Sequence, residues 1–196
     1  MRKRWRDIGV TDHLGAIMKT TFLTFASAAA AMAFAAPASA QEIYVGASKH
    51  TVDTPFSLET GEGGADLQAG IRSKRIEALS FLGKPQAHLH GQVSLNGDTS
   101  FVAAGLSWKI GDKIYLRPGI GLALHNDRIK DFRLSDGRRI DLGSRIVFEP
   151  EISVGAKLSD NMAAEISWVH ISHATLLSRQ NPGMDFIGAR LVFRLD

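Results

Sequence analysis

The feature that most constrains this chain is a two-residue alternation of apolar and polar side chains, repeated in eight segments. In the first segment, for example, Val45 lies between Tyr44 and Gly46, and Ile43 and Ala47 share its apolar parity. A period of two is the period of a β-strand with one face buried, whereas a helix repeats near 3.6 residues. The sequence therefore predicts an all-β fold of eight strands. The segments span 42–48, 66–72, 87–95, 102–110, 114–124, 146–157, 164–168 and 187–195.

Short turn sequences separate several of these segments. Asn96-Gly97-Asp98, Gly111-Asp112 and Ser159-Asp160-Asn161 are typical of hairpin connections, which join antiparallel strands. An even number of strands also allows the first and last strands to pair, so that the sheet closes without a free edge. We therefore predict an eight-stranded antiparallel barrel, whose interior is filled by side chains and has no wide channel.

The composition of the two faces favours a barrel that spans a membrane. The polar parity carries charged residues in nearly every segment, while Trp108 and Trp168 lie on the apolar parity. A transmembrane barrel has an apolar outside and a polar inside, with aromatic residues at the bilayer interfaces. Parity shows which residues share a face but not which face is inside. A soluble, lipocalin-like binding barrel with reversed faces is therefore the alternative.

The first 40 residues are expected to be a secretory signal peptide. An apolar run over 22–36 follows Met18 and Lys19, and Ala38-Ser39-Ala40 is a small-residue cleavage pattern. Residues 1–17 are interpreted as an overextended start, and 41–196 as the barrel domain. A single membrane-anchoring helix is the alternative for the apolar run.

The charge distribution gives no reason to expect a nucleic acid partner. The net charge of +3 lies within the predicted leader, because the remaining chain has 18 basic and 18 acidic residues. A barrel with zero net charge has no overall field that would attract polyanions.

The connections predict how the barrel is oriented. With both ends of the barrel in the periplasm, the links at 111–112 and 158–161 are periplasmic turns. The long links at 49–64, 125–144 and 174–184 are then external. The stretch 73–85 is long for a periplasmic turn, and we expect the second and third strands to extend into it.

Three polar residues interrupt the apolar parity near the external rim. His170 and Ser172 share the parity of Trp168, and Asp185 shares the parity of Ile187 on the next strand. All three are therefore predicted to point outward at similar height, where polar groups are tolerated near the interface. A serine nucleophile, a histidine base and a carboxylate that orients the base are the components of acyl transfer. A polar rim without chemistry is the alternative.

Residues 168–195 resemble the C-terminal part of the lipid A 3-O-deacylase (PagL-type) family of outer-membrane acyl hydrolases, and the eight-strand layout also fits. The resemblance implies an esterase in which His170, Ser172 and Asp185 form the catalytic group. Family members commonly have Glu where this chain has Asp185. An Asn often follows the catalytic Ser in the family, where this chain has His173.

The resemblance also implies how the substrate is bound. Asn181 matches an Asn associated with the oxyanion, and the backbone near Thr175 is expected to supply a second donor. The expected partner is lipid A of lipopolysaccharide in the outer leaflet of the bacterial outer membrane, with no metal and no cofactor. A homodimer is left open. The alternative function is that of a small non-catalytic outer-membrane barrel with a structural or adhesin-like role.

Other polar groups have less specific interpretations. His88 and His90 share the polar face, where they form either two ligands of a metal or part of an interior hydrogen-bond network; two ligands are too few for a tetrahedral site. The external stretch 128–139 carries five basic residues that suit lipid phosphates, but interleaved acids suit a solvated loop equally well. A salt-bridge lattice inside the barrel is predicted from the charges on the polar face, which are Glu149, Glu151, Glu165, Arg117, Lys157, Arg190 and Arg194.

Overall fold

The computed structural model describes residues 40–57, 60–126, 142, 144–172 and 183–195. All of these residues belong to one compact unit. The predicted features that lie outside the described residues are residues 1–39 of the leader, the basic stretch 128–139, His173, Thr175 and Asn181.

The described residues form the predicted eight-stranded antiparallel barrel. Each strand pairs with its neighbour along the chain, and the last strand pairs with the first, so that no edge is left open. The strands are β1 (Ala40–Lys49), β2 (Ala65–Arg75), β3 (Gln86–Ser94), β4 (Phe101–Ser107, continued by Ile110–Gly111), β5 (Ile114–His125), β6 (Ile146–Lys157), β7 (Met162–Ile171) and β8 (Met184–Arg194).

The interruption of β4 has a local cause in the neighbouring strand. The register between β4 and β5 is the same on both sides of the gap, with Ser107 opposite Gly119 and Ile110 opposite Leu116. Between them lies Pro118, whose carbonyl accepts a hydrogen bond from the Trp108 N–H at 2.9 Å. Proline has no backbone N–H and cannot donate a hydrogen bond to β4, so the ladder loses one hydrogen bond at this position.

The structure decides which face is inside. Residues of the apolar parity are exposed, for example Val45 at 52% and Ile166 at 61%, whereas charged residues of the polar parity are buried. The apolar outside and polar inside are those of a transmembrane barrel, as predicted, and the lipocalin-like alternative is wrong.

The interior contains the predicted lattice of ion pairs. Arg72 contacts Glu165 at 2.9 Å, Arg117 contacts Glu42 at 2.8 Å and Arg190 contacts Glu151 at 2.9 Å. Arg72 and Glu42 are additions to the predicted set. Two residues of the predicted set lie outside this lattice. Lys157 pairs with Asp112 in a turn at 2.8 Å, and Arg194, near the end of the last strand, is exposed.

His88 and His90 belong to the same interior network. His88 Nε2 lies 3.3 Å from a carboxylate oxygen of Glu149, and His90 Nδ1 lies 2.8 Å from the hydroxyl of Tyr44. The hydrogen-bond interpretation of the two histidines therefore describes the structure. In the described segments, no group of three or more His, Asp or Glu side chains is arranged to hold a metal ion.

The connection between β2 and β3 differs from the prediction. β2 extends only to Arg75, and a short 3-10 helix occupies Glu77–Leu82. Leu and Ala favour a helical turn, and Gly83 ends it with a φ of +82°. The Trp108 indole N–H donates to the Leu82 carbonyl at 2.7 Å. Among the described residues, no helix is long and apolar enough to span a bilayer.

Candidate active site

His170 and Asp185 are direct cross-strand neighbours at the end of the barrel where β7 stops and β8 begins, which we call the outer end. His170 Nδ1 lies 2.8 Å from Asp185 Oδ1. The shorter acid therefore reaches the ring, because the antiparallel ladder places the two side chains directly opposite each other. A carboxylate at Nδ1 holds the proton there and leaves Nε2 to act as a base.

Ser172 lies on the same face as His170, one residue past the end of β7. Its backbone pairs with Phe148 of β6, through N–H···O hydrogen bonds of 3.1 and 2.7 Å. These bonds fix the position of the serine although the ladder with β8 has ended. Within the described residues, the Ser172 hydroxyl makes no hydrogen bond to His170. Such contacts are often long before substrate binds.

The three side chains have the predicted outward parity, but they are not open to the surroundings. The exposed fractions of His170, Ser172 and Asp185 are 7%, 6% and 0%. Part of the cover comes from the loop at 50–57, which follows β1 and crosses over the start of β8. The Val52 N–H donates to the backbone carbonyl of Asp185 at 2.8 Å.

Thr54 from the same loop makes a second contact with the acid. Its hydroxyl donates a hydrogen bond to Asp185 Oδ2, the oxygen that does not contact His170. This contact of Thr54 was not predicted from the sequence. A threonine in an irregular loop has no periodicity, and its partner is 131 positions away in the chain.

Aromatic rings pack over the histidine. Trp168 stacks on His170 with a centroid distance of 5.8 Å and an interplanar angle of 28°. Phe56 lies 6.3 Å from Trp168 and is largely exposed. Trp168 was predicted to belong to an interfacial aromatic girdle, and it lies directly beside the candidate catalytic base. Apolar and aromatic surface next to a polar group suits a substrate with an acyl chain.

Gly183 gives the imidazole the space that it occupies. A Cβ atom on Gly183 would lie 2.5 Å from His170 Cε1 and 2.9 Å from Nε2, both too short for non-bonded atoms. A side chain at this position would therefore displace the ring or the backbone. Sequence alone offered no reason to single out this glycine.

The loop at 50–57 is anchored at its start by His50. The His50 ring lies between two carboxylates, with Nδ1 2.7 Å from Asp66 and Nε2 2.9 Å from Glu62. Burial of the ring lowers the pKa of His50, but the hydrogen bonds and negative charges of Asp66 and Glu62 outweigh it. Together they raise the pKa to about 9. His50 is therefore protonated at neutral pH and fixes the loop to the barrel wall.

Two cavities lie at opposite ends of the barrel. A cavity of about 290 Å³ adjoins the candidate site, and its lining includes Val52, Asp53, Ser57 and Gly183. A larger cavity of about 540 Å³ at the other end is lined by Lys109, Lys157 and residues of the inner turns, and none of the three candidate residues contributes to it. None of the three candidate residues lines the smaller cavity either, but its lining includes Gly183 and Met184, which directly precede Asp185.

The chain has similarities to known proteins in both sequence and fold. The sequence profile of the lipid A 3-O-deacylase (PagL) family matches residues 53–194. Among solved structures, the crystal structure of the outer membrane enzyme PagL has a TM-score of 0.52 and 15% identity, and the match covers 78% of this chain and 99% of that one. No curated protein sequence matches the chain.

Two other outer-membrane barrels have more distant structural similarity. Ail of Yersinia pestis, solved in a phospholipid nanodisc, has a TM-score of 0.45 and 13% identity, over 80% of this chain and 99% of that one. Neisserial surface protein A has a TM-score of 0.48 and 10% identity, over 79% of this chain and 96% of that one.

Proposed function

The chain belongs to the lipid A 3-O-deacylase (PagL) family, and from this premise we propose that it is an outer-membrane esterase that removes an ester-linked acyl chain from lipid A. The family description names the 3-O position, and we propose cleavage of that ester. The hydrogen bond of 2.8 Å between His170 and Asp185 is the observation that carries the proposal, because it creates an oriented imidazole base on the lipid-facing side of the barrel.

In the proposed mechanism, Ser172 Oγ attacks the acyl carbonyl carbon while His170 Nε2 takes its proton. Asp185 stabilises the imidazolium that forms. When the tetrahedral intermediate collapses, the bond to the sugar oxygen breaks and His170 protonates that oxygen. Water then hydrolyses the acyl-serine with His170 again as the base. Asn181 and the backbone near Thr175 are proposed as oxyanion donors.

The position of the site supports a substrate that approaches from within the membrane. His170, Ser172 and Asp185 all lie on the outward parity, and Trp168 and Phe56 present aromatic surface beside them. An ester near the outer-leaflet headgroups therefore needs no passage through the barrel interior. The proposed orientation, with the outer end at the cell surface, follows from a cleaved signal peptide and periplasmic chain ends.

Mass spectrometry of lipid A tests this proposal. The protein is expressed in a Gram-negative host without its own lipid A deacylase, and the lipid A mass is expected to fall by one acyl chain. Ser172→Ala and His170→Ala are each expected to lower the rate by about 10²- to 10⁴-fold or more. A wild-type protein that is folded in the outer membrane and leaves lipid A unchanged would refute the function.

Ser167→Ala is a matched control for Ser172→Ala. Ser167 lies in β7, the strand that ends just before Ser172, but on the interior face, and its buried hydroxyl has no hydrogen-bond partner among the described residues. The substitution removes the same atom without removing a hydrogen bond. Deacylation by this variant is expected to equal that of the wild type. Equal loss in both serine variants would mean that the loss is structural.

A further inference from the structure

The two oxygens of the Asp185 carboxylate have different partners. Oδ1 lies 2.8 Å from His170 Nδ1, and Oδ2 accepts the hydrogen bond from the Thr54 hydroxyl. The first contact joins two adjacent strands, while the second comes from the loop after β1. The carboxylate is therefore held from two sides by elements that are far apart in the chain.

The local structure of the loop directs the Thr54 hydroxyl towards the acid. The Phe56 N–H donates to Thr54 Oγ1 at 3.0 Å, so the hydroxyl oxygen already serves as an acceptor. Its hydrogen is then available for Asp185. The Val52 N–H also donates to the Asp185 backbone carbonyl, at 2.8 Å. The loop thus contacts Asp185 through both its side chain and its main chain.

A buried carboxylate needs both of these contacts. Asp185 has no exposed surface, and an ionised carboxylate without water must receive hydrogen bonds from protein groups. The hydrogen bond to His170 holds one oxygen, and Thr54 and the Trp168 side chain are the further hydrogen-bond partners of the carboxylate. The Thr54 hydroxyl restricts rotation about the terminal torsion, since it holds the second oxygen from the side of the loop.

We infer that Thr54 is a positioning residue of the candidate site, which holds Asp185 in the orientation that keeps Nδ1 of His170 protonated and Nε2 free. Its effect on catalysis rests on the proposed function, but its effect on the His170–Asp185 hydrogen bond does not. In metal sites, partners that orient a ligand through a hydrogen bond contribute about 10- to 100-fold to affinity or activity, and we expect an effect of the same order here.

Kinetics on purified lipid A in detergent test the catalytic part. Thr54→Val, which keeps the branched shape and removes the hydroxyl, is expected to lower kcat by about 10- to 100-fold with little change in KM. Thr54→Ser restores the hydroxyl and is expected to restore kcat. Thr99→Val is the matched control, because Thr99 lies outside the loop at 50–57 and its buried hydroxyl donates to the Glu62 carboxylate and not to Asp185.

A nuclear magnetic resonance measurement tests the hydrogen bond itself. With ¹⁵N-labelled histidine in detergent micelles, the Nδ1–H resonance of His170 is expected at low field in wild type, Thr54→Ser and Thr99→Val. In Thr54→Val it is expected to shift upfield or broaden by exchange. Heat-modifiable migration checks that each variant is folded, and Thr54→Ala replaces Thr54→Val if the valine prevents folding.

The outcomes separate this inference from the proposed function. If the wild type has no deacylase activity, the proposed function fails, while the resonance still tests the role of Thr54. If Thr54→Val changes neither the resonance nor kcat, the inference is overturned. A rise in KM at unchanged kcat would also overturn it, because Thr54 would then contact substrate instead of supporting Asp185.

Discussion

Glu165 is the residue through which the interior lattice can be tested most directly. Its carboxylate receives two hydrogen bonds from Arg72, at 3.1 and 2.9 Å, and one from the Tyr115 hydroxyl at 2.9 Å. Arg117 Nε lies 3.3 Å away. Glu165, Arg72 and Arg117 are all buried, so Glu165 and Glu42 together balance two guanidinium groups that water does not solvate.

Glu165→Gln keeps the shape of the side chain and removes its charge. In Glu165→Gln, Arg72 would keep only the more distant Glu42 carboxylate, at 3.5 Å. Removing one member of a buried ion pair typically costs about 3–5 kcal/mol. With a urea dependence of about 2 kcal/mol per molar, that loss moves the unfolding midpoint down by about 2 M. The effect is expected in the free energy of unfolding and not in the candidate site, because Glu165 lies on the interior face.

Urea unfolding in phospholipid vesicles, followed by tryptophan fluorescence, measures this change. Asp112→Asn serves as the control, since Asp112 pairs with Lys157 in an exposed turn and its loss is expected to leave the midpoint unchanged. A midpoint for Glu165→Gln within about 0.5 M of the wild type would refute the reasoning, because an m-value of this size then corresponds to only about 1 kcal/mol. Loss of deacylation at unchanged stability would instead identify Glu165 as a catalytic carboxylate.

Three further predictions concern the outer end. Gly183→Ala is expected to lower deacylation by about 10²-fold, because a Cβ 2.5 Å from His170 Cε1 displaces the ring; normal activity in the mass assay would show that the backbone moves instead. Because the pKa of His50 is raised from 6.5 to about 9 in the folded chain, its stabilising contribution is complete below about pH 6.5 and is lost as pH rises through 9. The unfolding free energy of the wild type is expected to fall over that range, and His50→Gln should flatten the curve; equal slopes in both proteins would contradict this role. Asp185→Ala is expected to slow deacylation less than His170→Ala, since the base remains when its orienting acid is lost; full activity of Asp185→Ala would mean that another group orients His170.

The strands and their pairing were largely predictable from sequence, because alternation is a local property of the chain. Each of the eight predicted segments corresponds to one strand, with boundaries that differ by a few residues. In the part of the chain that the structure describes, the 3-10 helix at Glu77–Leu82 departs from the expected strand extension, and β4 is interrupted at 108–109. This helix forms where the local sequence favours a helical turn, and the parity of apolar and polar residues does not reveal that preference.

The same alternation placed His170, Ser172 and Asp185 on one face, and the order of the strands placed them at one end. Parity could not determine which of the two faces lies inside the barrel. A two-residue period is unchanged when the two faces are exchanged, so only closure of the sheet, with Arg72 and Glu165 enclosed, determines which face meets lipid.

The surroundings of the candidate residues were decided by the tertiary structure alone. The register between β7 and β8 sets Asp185 opposite His170, and the crossing of the loop at 50–57 sets Thr54 against the acid. The space beside the ring exists because Gly183 has no side chain. Each of these contacts joins residues that have no local pattern in common. Their chemistry therefore becomes visible only when the barrel has closed and brought distant parts of the chain to one rim.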